Sequence, residues 1–200
     1  GAGNTDPNSQ FCSLITRFSS GAAIDTISAN LNNVALATVT GVDINVDYSI
    51  GEILPEYIPG SWEIAVVGTR IEENSSQENA ASAVVDCVGS FSGACGEPIQ
   101  EWNHRATISW FNGPVNTQLT WRYLGETISQ DAEDTLEAES YFDMSATWEI
   151  SDTYSITGGI DNLLDTSPPI LGDNQEQANT YPATYDVFGR TFWLNLRGRF

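Results

Sequence analysis

The side chains best equipped for chemistry are three cysteines, one histidine and a large excess of carboxylates. Cys12, Cys87, Cys95 and His104 show neither Cys-x-x-Cys nor His-x-x-x-His spacing, so no zinc set can be assembled from them. A nucleophile relay needs a base beside it; one histidine and no Gly-x-Ser-x-Gly leave none to build. His104, between Trp102 and Arg105, reads as a structural or surface residue. Counting alone leaves a glycosidase pair open, because a retaining enzyme needs only two carboxylates about 5 Å apart. The run from Asp131 to Glu139 lacks the Asp-x-Asp-x-Asp-Gly calcium loop and reads as a solvated or cation-bridged exterior loop. No catalytic set, metal or cofactor is expected.

The chain has 200 residues, 27 of them acidic and 7 basic, and the formal net charge is -20. Every basic residue is an arginine. Such a surface repels phosphate backbones, so nucleic acid is not an expected partner. No run reaches the 18 or so apolar residues that a membrane helix requires. Gly1 to Gln10 has neither a basic nor an apolar leader region, and the one methionine is Met144. These features lead us to expect a portion of a longer or processed chain.

The carboxylates and arginines fall into a pattern of period two. In Val42, Ile44, Val46, Tyr48 and Ile50 the apolar phase alternates with Asp43, Asn45, Asp47 and Ser49. Successive side chains of a strand point to opposite faces, so one face is greasy and the other acidic. Six further segments alternate in the same way. Trp62, Ile64 and Val66 oppose Glu63, and Ala106, Ile108 and Trp110 oppose Arg105, Thr107 and Ser109. Leu119, Trp121 and Tyr123 oppose Gln118, Thr120 and Arg122; Met144, Ala146, Trp148 and Ile150 oppose Asp143, Ser145, Thr147 and Glu149. Tyr154, Ile156 and Ile160 oppose Ser155, Thr157 and Asp161, and Phe192, Leu194, Leu196 and Phe200 oppose Trp193, Asn195, Arg197 and Arg199.

Each segment is roughly 9 to 11 residues long, the length of a tilted strand crossing a bilayer. Tyr48, Trp62, Trp110, Tyr123, Trp148 and Tyr154 lie near the ends of the apolar phases, as the interfacial girdles of outer-membrane barrels do. Connections alternate in length. Phe111 to Asn116, Ser151 to Thr153 and Ile53 to Gly60 are compact, whereas about 72–101, 125–139 and 164–189 are long. Short turns on one side and long loops on the other are the layout of a bacterial barrel, with acidic loops outside. Residues 1–37 are expected to be exterior loop and the lead-in to the first strand, and 38–200 the strands. An odd set of seven strands would leave open edges in lipid, so further strands are expected to complete the cylinder.

The end of the chain carries the most specific resemblance. Gly159-Ile160-Asp161-Asn162-Leu163-Leu164-Asp165, Pro168-Pro169, Tyr181, and Tyr185-Asp186-Val187-Phe188-Gly189-Arg190-Thr191-Phe192 through Arg199-Phe200 resemble the closing strands of TonB-dependent outer-membrane receptors. Trp121-Arg122-Tyr123 before Gly125, and Cys95-Gly96 with Pro98 before Trp102, resemble the same region. The resemblance implies an all-β, transmembrane, antiparallel up-and-down barrel of about 22 strands, of which this chain supplies the C-terminal seven. It implies a location in the bacterial outer membrane and import of a scarce nutrient ligand: a siderophore, a cobalamin-like chelate or a saccharide. The implied partners are membrane lipid, upstream strands and a plug domain, the inner-membrane TonB energy-coupling complex, and the assembly machinery that reads a terminal aromatic, here Phe200.

Within that frame Cys87 and Cys95, in one exterior loop, are expected to form a disulfide, and the partner of Cys12 to lie upstream. Asp43, Asn45, Asp47, Arg105, Arg122, Asp143, Glu149, Asp161, Asn195, Arg197 and Arg199 are expected to face a wet lumen, where pairing across strands lowers the cost of enclosing charge. The competing expectation is a soluble, secreted β-sandwich, a binding or adhesin module with acidic calcium- or carbohydrate-binding loops, whose inner face would use the same apolar residues.

Overall fold

A computed structural model describes residues 12–18, 23–28, 36–51, 59–78, 82–172 and 179–199. The chain divides into two units, 1–35 and 36–200. In the first, a short 3-10 helix (Cys12–Leu14) leads into a two-stranded antiparallel hairpin of β1 (Ile15–Arg17) and β2 (Ile24–Ile27).

The second unit is built on one antiparallel sheet. Its long strands are β3 (Leu36–Ile50) and β4 (Ser61–Gln77), with the two-residue β5 (Val85–Asp86) paired to β4 beyond the main path. Two short strands, β6 (Ser90–Ser92) and β7 (Gly96–Ile99), precede β8 (Trp102–Asn112) and β9 (Val115–Leu124). Next come β10 (Thr127–Ser129), β11 (Thr135–Leu136), β12 (Glu139–Glu149), β13 (Tyr154–Asp161) and β14 (Thr191–Gly198). The sheet order is β14-β13-β12-β9-β8-β4-β3, so each long strand pairs with the next long strand in sequence. All seven segments read from alternation are strands of this sheet.

Turn chemistry sets the register. Asn112 pairs with Val115 across a two-residue loop, and Gly113 takes φ 58 there. A tight hairpin requires this positive φ at its first central position, which glycine supplies without steric cost. At the next turn the Ser151 hydroxyl accepts from the backbone N–H of Thr153 and Tyr154, closing the bend with a local side-chain bond. Ile64, Ile108, Leu119, Met144, Ile160 and Phe192 consequently lie in one row across six strands. The apolar phases thus share one face and the polar phases the other.

The apolar face has no second layer over it among the described residues. Phe192, Leu194 and Leu196 are 69%, 68% and 73% exposed, and Ile44, Val46, Leu119, Met144 and Trp148 are also exposed. The buried apolar cluster is instead Phe91, Leu136, Tyr141, Leu171, Tyr181 and Tyr185, with Leu124 against it. Its two members from the long strands, Leu124 and Tyr141, belong to the polar phase, at the end where the long loops emerge. The core therefore lies beneath those loops.

Two expectations need correction. β3 and β4 extend beyond the alternating segments, pairing from Leu36↔Gln77 to Ile50↔Trp62 with an irregularity between Thr40 and Gly41. The polar run of β4 from Glu72 onward breaks the alternation, yet backbone pairing continues. The loops at about 72–101 and 125–139 are also partly ordered into strands, giving a small sheet of order β11-β10-β6-β7. Within it β10 runs parallel to β6. Strands of two to four residues are too short for period two to register.

Cys87 and Cys95 form the expected disulfide, which ties the lead-in to β6 to the turn before β7 in the hairpin of those two strands. The neighbouring loop docks onto this hairpin. Gly93 N–H donates to Asp131 Oδ2 at 2.6 Å, and Gln130 Nε2 donates to the Asp86 carbonyl and the Ser90 hydroxyl at 2.5 and 2.8 Å. Replacing both cysteines by serine should lower stability by about 2 to 3 kcal/mol, the loop-closure effect of a short bridge. It should also speed cleavage within 125–139, because the docked loop loses a fixed partner. Denaturant midpoints and limited proteolysis with mass mapping test the two effects.

Candidate functional site

The polar face is the candidate site, and register places the predicted residues on it. Asp43, Asn45 and Asp47 of β3 oppose Thr69, Val67 and Ala65 of β4. Arg105 of β8 is the direct partner of Arg122 of β9. Asp143 of β12 opposes Thr120 and lies two pairs along from Tyr141↔Arg122, on the same face. Glu149 pairs with Ser155, Ser155 with Arg197, and Thr157 with Asn195. Asp161 opposes Thr191, and the Arg199 N–H donates to the Thr153 carbonyl just past β14. Phe200 lies outside the described residues.

Of these residues, Arg122 makes the densest set of contacts. Its Nε and Nη2 donate to Asp143 Oδ2 and Oδ1 at 2.7 and 3.2 Å. Its Nη1 and Nη2 donate to Asp186 Oδ1 and Oδ2 at 3.3 and 2.5 Å. The guanidinium also lies 5.1 Å from the centroid of the Tyr141 ring. One planar fork thus joins a carboxylate of the sheet to a carboxylate of the last long loop, a two-sided geometry that arginine can provide and lysine cannot. Asp143 Oδ1 additionally accepts the Asn162 N–H at 2.9 Å. The expected pairing is therefore present at Arg122 and Asp143. The remaining described ion pair is Arg70 with Glu101, exposed at 3.0 Å, and no ion pair with Arg105, Arg197 or Arg199 occurs among the described residues.

The loop partner is held from two directions. Tyr181 and Tyr185 insert into the buried cluster, and Phe91 meets Tyr181 edge-on at 5.5 Å. Burial pushes the Tyr185 phenol above its ordinary pKa, with the Thr127 and Gln100 side chains pulling the other way. At the far end, the Arg190 N–H donates to Asp165 Oδ1 at 2.8 Å and Arg190 Nε to the Leu163 carbonyl at 2.9 Å. Asn162, at φ 52 and fully buried, both donates to the Thr166 carbonyl and accepts the Thr166 N–H. The Asn162-Leu163-Leu164-Asp165 and Gly189-Arg190 segments, which carried the resemblance, thus form a latch at the base of the loop. Close approach also fixes Gly159 on this face: a Cβ there would run into the Trp193 indole, whose Nε1 donates to Asp161 Oδ1 at 3.2 Å.

The opposite face carries two groups of aromatics. Trp62 and Trp110 pair at 6.1 Å near the compact turns, where Tyr48, Trp148 and Tyr154 also lie. At the loop end Trp102 Nε1 donates to His104 Nδ1 at 3.0 Å. His104 stacks on Tyr123 at 5.2 Å, and Trp121 stacks on Phe142 at 6.1 Å. His104 is thus a member of an aromatic cluster, in keeping with its structural reading. Alternation did not single out Asp186, and Tyr141 carried only a faint signal, a bulky aromatic interrupting a polar phase.

No family model matches the chain, and no curated protein matches it. Solved structures of the ferric enterobactin receptor PfeA from Pseudomonas aeruginosa do match. One, a glycine-to-valine mutant, gives a TM-score of 0.56 at 18% identity over 82% of this chain and 22% of that one. A double mutant gives 0.55 at 18% identity over 81% and 22%. A third, a mutant in complex with enterobactin, gives 0.55 at 17% identity over 81% and 22%. The likeness is one of fold. This chain, nearly all β with an antiparallel main sheet, shares its fold with part of that β-barrel and spans about a fifth of that protein's length, 22%.

Replacing Arg122 by glutamine removes a partner from both Asp143 and Asp186 while the two carboxylates stay part-buried. Stability should fall by about 1.5 to 3 kcal/mol, the range for hydrogen bonds to charged groups. Arg105→Gln should cost no more than about 0.5 kcal/mol, since Arg105 is exposed and makes no ion pair among the described residues. Denaturant unfolding of the two variants side by side measures the contrast.

Proposed function

We propose that this chain is the C-terminal part of the barrel of a TonB-dependent outer-membrane receptor, and that the complete receptor imports a scarce nutrient across the bacterial outer membrane. The observation that carries this reading is the unbroken apolar face, continuous over seven strands and uncovered by protein among the described residues. Leaving a side chain of leucine size in water forgoes about 1.5 to 3 kcal/mol of burial. Lipid hydrocarbon removes that penalty over the whole face. The aromatic groups at both ends of the face suit the two membrane interfaces.

A soluble sandwich would need a second sheet over the apolar phases, and the buried cluster draws on the polar phase instead. The polar face then lines a watery passage, with Asp43, Asn45, Asp47, Arg105, Arg122, Asp143, Glu149, Asp161, Asn195, Arg197 and Arg199 along it. The open edges at β3 and β14 pair with further strands, because unpaired backbone is costly in lipid. A plug domain, the inner-membrane TonB complex and the outer-membrane assembly machinery are the partners of this reading. A siderophore is the favoured cargo, supported by the ferric enterobactin receptors among the similar structures; a cobalamin-like chelate or a saccharide has the same need for import.

The two faces should respond oppositely to charge. Arginine at Ile44 or Leu194 should impair membrane assembly by about 2 to 4 kcal/mol, the cost at mid-depth on a lipid face. Arginine at Asn45 or Asn195 should be tolerated. Folding titrations into lipid vesicles measure both pairs, and equal tolerance on the two faces would overturn the reading.

A further inference from the structure

Arg105 and Arg122 are direct cross-strand partners on the polar face. Like charges placed opposite one another on neighbouring strands repel, and a bound anion relieves the repulsion. In the structure one anion already does so from outside the sheet: Asp186, on the last long loop, takes two donors of Arg122. Arg105, beside it, has no ion-pair partner among the described residues. Arg105, Arg122, Asp143, Asp161, Asp186, Phe188 and Thr191 line one open concavity on this face.

The arm bearing Asp186 is short and fixed at both ends. Tyr185 is anchored in the buried cluster and Arg190 is latched to Asp165 and Leu163, while Phe188 between them is 91% exposed. Any rearrangement of residues 186–188 is thereby confined to the three residues between these two anchors.

We infer that Arg105 and Arg122 form an oxyanion-binding site for which Asp186 is the built-in occupant, so that an incoming anion takes Arg105, displaces Asp186 from Arg122 and swings the Asp186–Phe188 arm aside. The ligand class is a small solute presenting paired oxygens, carboxylate-like or phosphate-like, which the guanidinium fork accepts in place of the Asp186 carboxylate. Asp143 stays in place on Arg122, because it is also held by the Asn162 N–H. The consequence for passage rests on the polar face lining a watery channel. The exchange itself does not, and the test below uses neither lipid nor transport.

Inorganic pyrophosphate serves as the probe, titrated calorimetrically against the full chain in detergent at constant ionic strength. Asp186→Asn keeps the shape and removes the competing charge, so it should bind the probe at least tenfold more tightly than the parent chain. Adding Arg105→Gln to that variant should abolish the gain. Asp161→Asn removes a charge from the same concavity without touching Arg122, and should change affinity less than twofold. Asp186→Glu, which retains a competing carboxylate, should bind as the parent does and stands in as the comparison if the asparagine variant fails to fold: Asp186→Gln is then set against it. Equal gains from Asp161→Asn and Asp186→Asn would reduce the effect to net charge and overturn the proposal. Absence of probe binding in every Asp186 variant would overturn it too.

Discussion

Phase coherence is the constraint on which the molecule depends. Side chains alternate across a strand, so a slip of one residue at any pairing would carry that strand's whole apolar set to the other face. Six successive pairings avoid this over the alternating segments, from β3 with β4 to β13 with β14, the one shift in β3 between Thr40 and Gly41 lying beyond them. The compact connections bear much of the burden. Gly113 permits a two-residue reversal, and the Ser151 hydroxyl closes the next bend through two backbone donors. Cross-strand pairs on the apolar face, Trp62 with Trp110 and Trp121 with Phe142, add contact that a slipped register would forfeit. The same coherence sets Arg105 against Arg122 and leaves Asp143 within reach of the latter's guanidinium.

A second level of order grows from that polar face. The long loops do not merely cap the strands; they fold against them and against each other. Leu124 and Tyr141 offer apolar footing at the loop end, on which Phe91, Leu136, Leu171, Tyr181 and Tyr185 gather. Arg122 adds a charged tie from the sheet to the last loop, and the disulfide hairpin receives the loop before it. Burial and charge pairing act together here. A guanidinium in contact with two carboxylates and an aromatic ring offsets a desolvation cost that either carboxylate alone would leave unbalanced.

What could be read from the residues follows the same division. The seven long strands, their order as neighbours and the composition of both faces were legible, because period two persists over many residues and survives occasional exceptions. The disulfide was legible once Cys87 and Cys95 were read as members of one loop. The small sheet of β6, β7, β10 and β11 was not, since its strands are too short to carry a period and one of its pairings is parallel and between separate loops. Asp186 was hidden for a related reason. It lies 64 positions from Arg122, and alternation describes neighbours on a strand, not what a loop brings back to it. The Asn162 and Arg190 motifs marked the loop's base in the sequence, but only geometry shows them as a hydrogen-bonded latch.

The distribution of charge bears on how any solute would be chosen. A chain of formal charge -20 presents a repulsive far field to anions, yet four of its seven arginines lie along the polar phase. Salt screens exposed charges beyond about 8 to 10 Å, so the acidic excess acts mainly as a local property of each surface. Attraction to Arg105 and Arg122 must then operate at contact distance, through directed hydrogen bonds rather than long-range steering. A cation would meet the reverse arrangement, drawn to the acidic loops and opposed at the arginine pair. What the polar face offers an anionic group is therefore recognition at contact range, by the directed donors of Arg105 and Arg122.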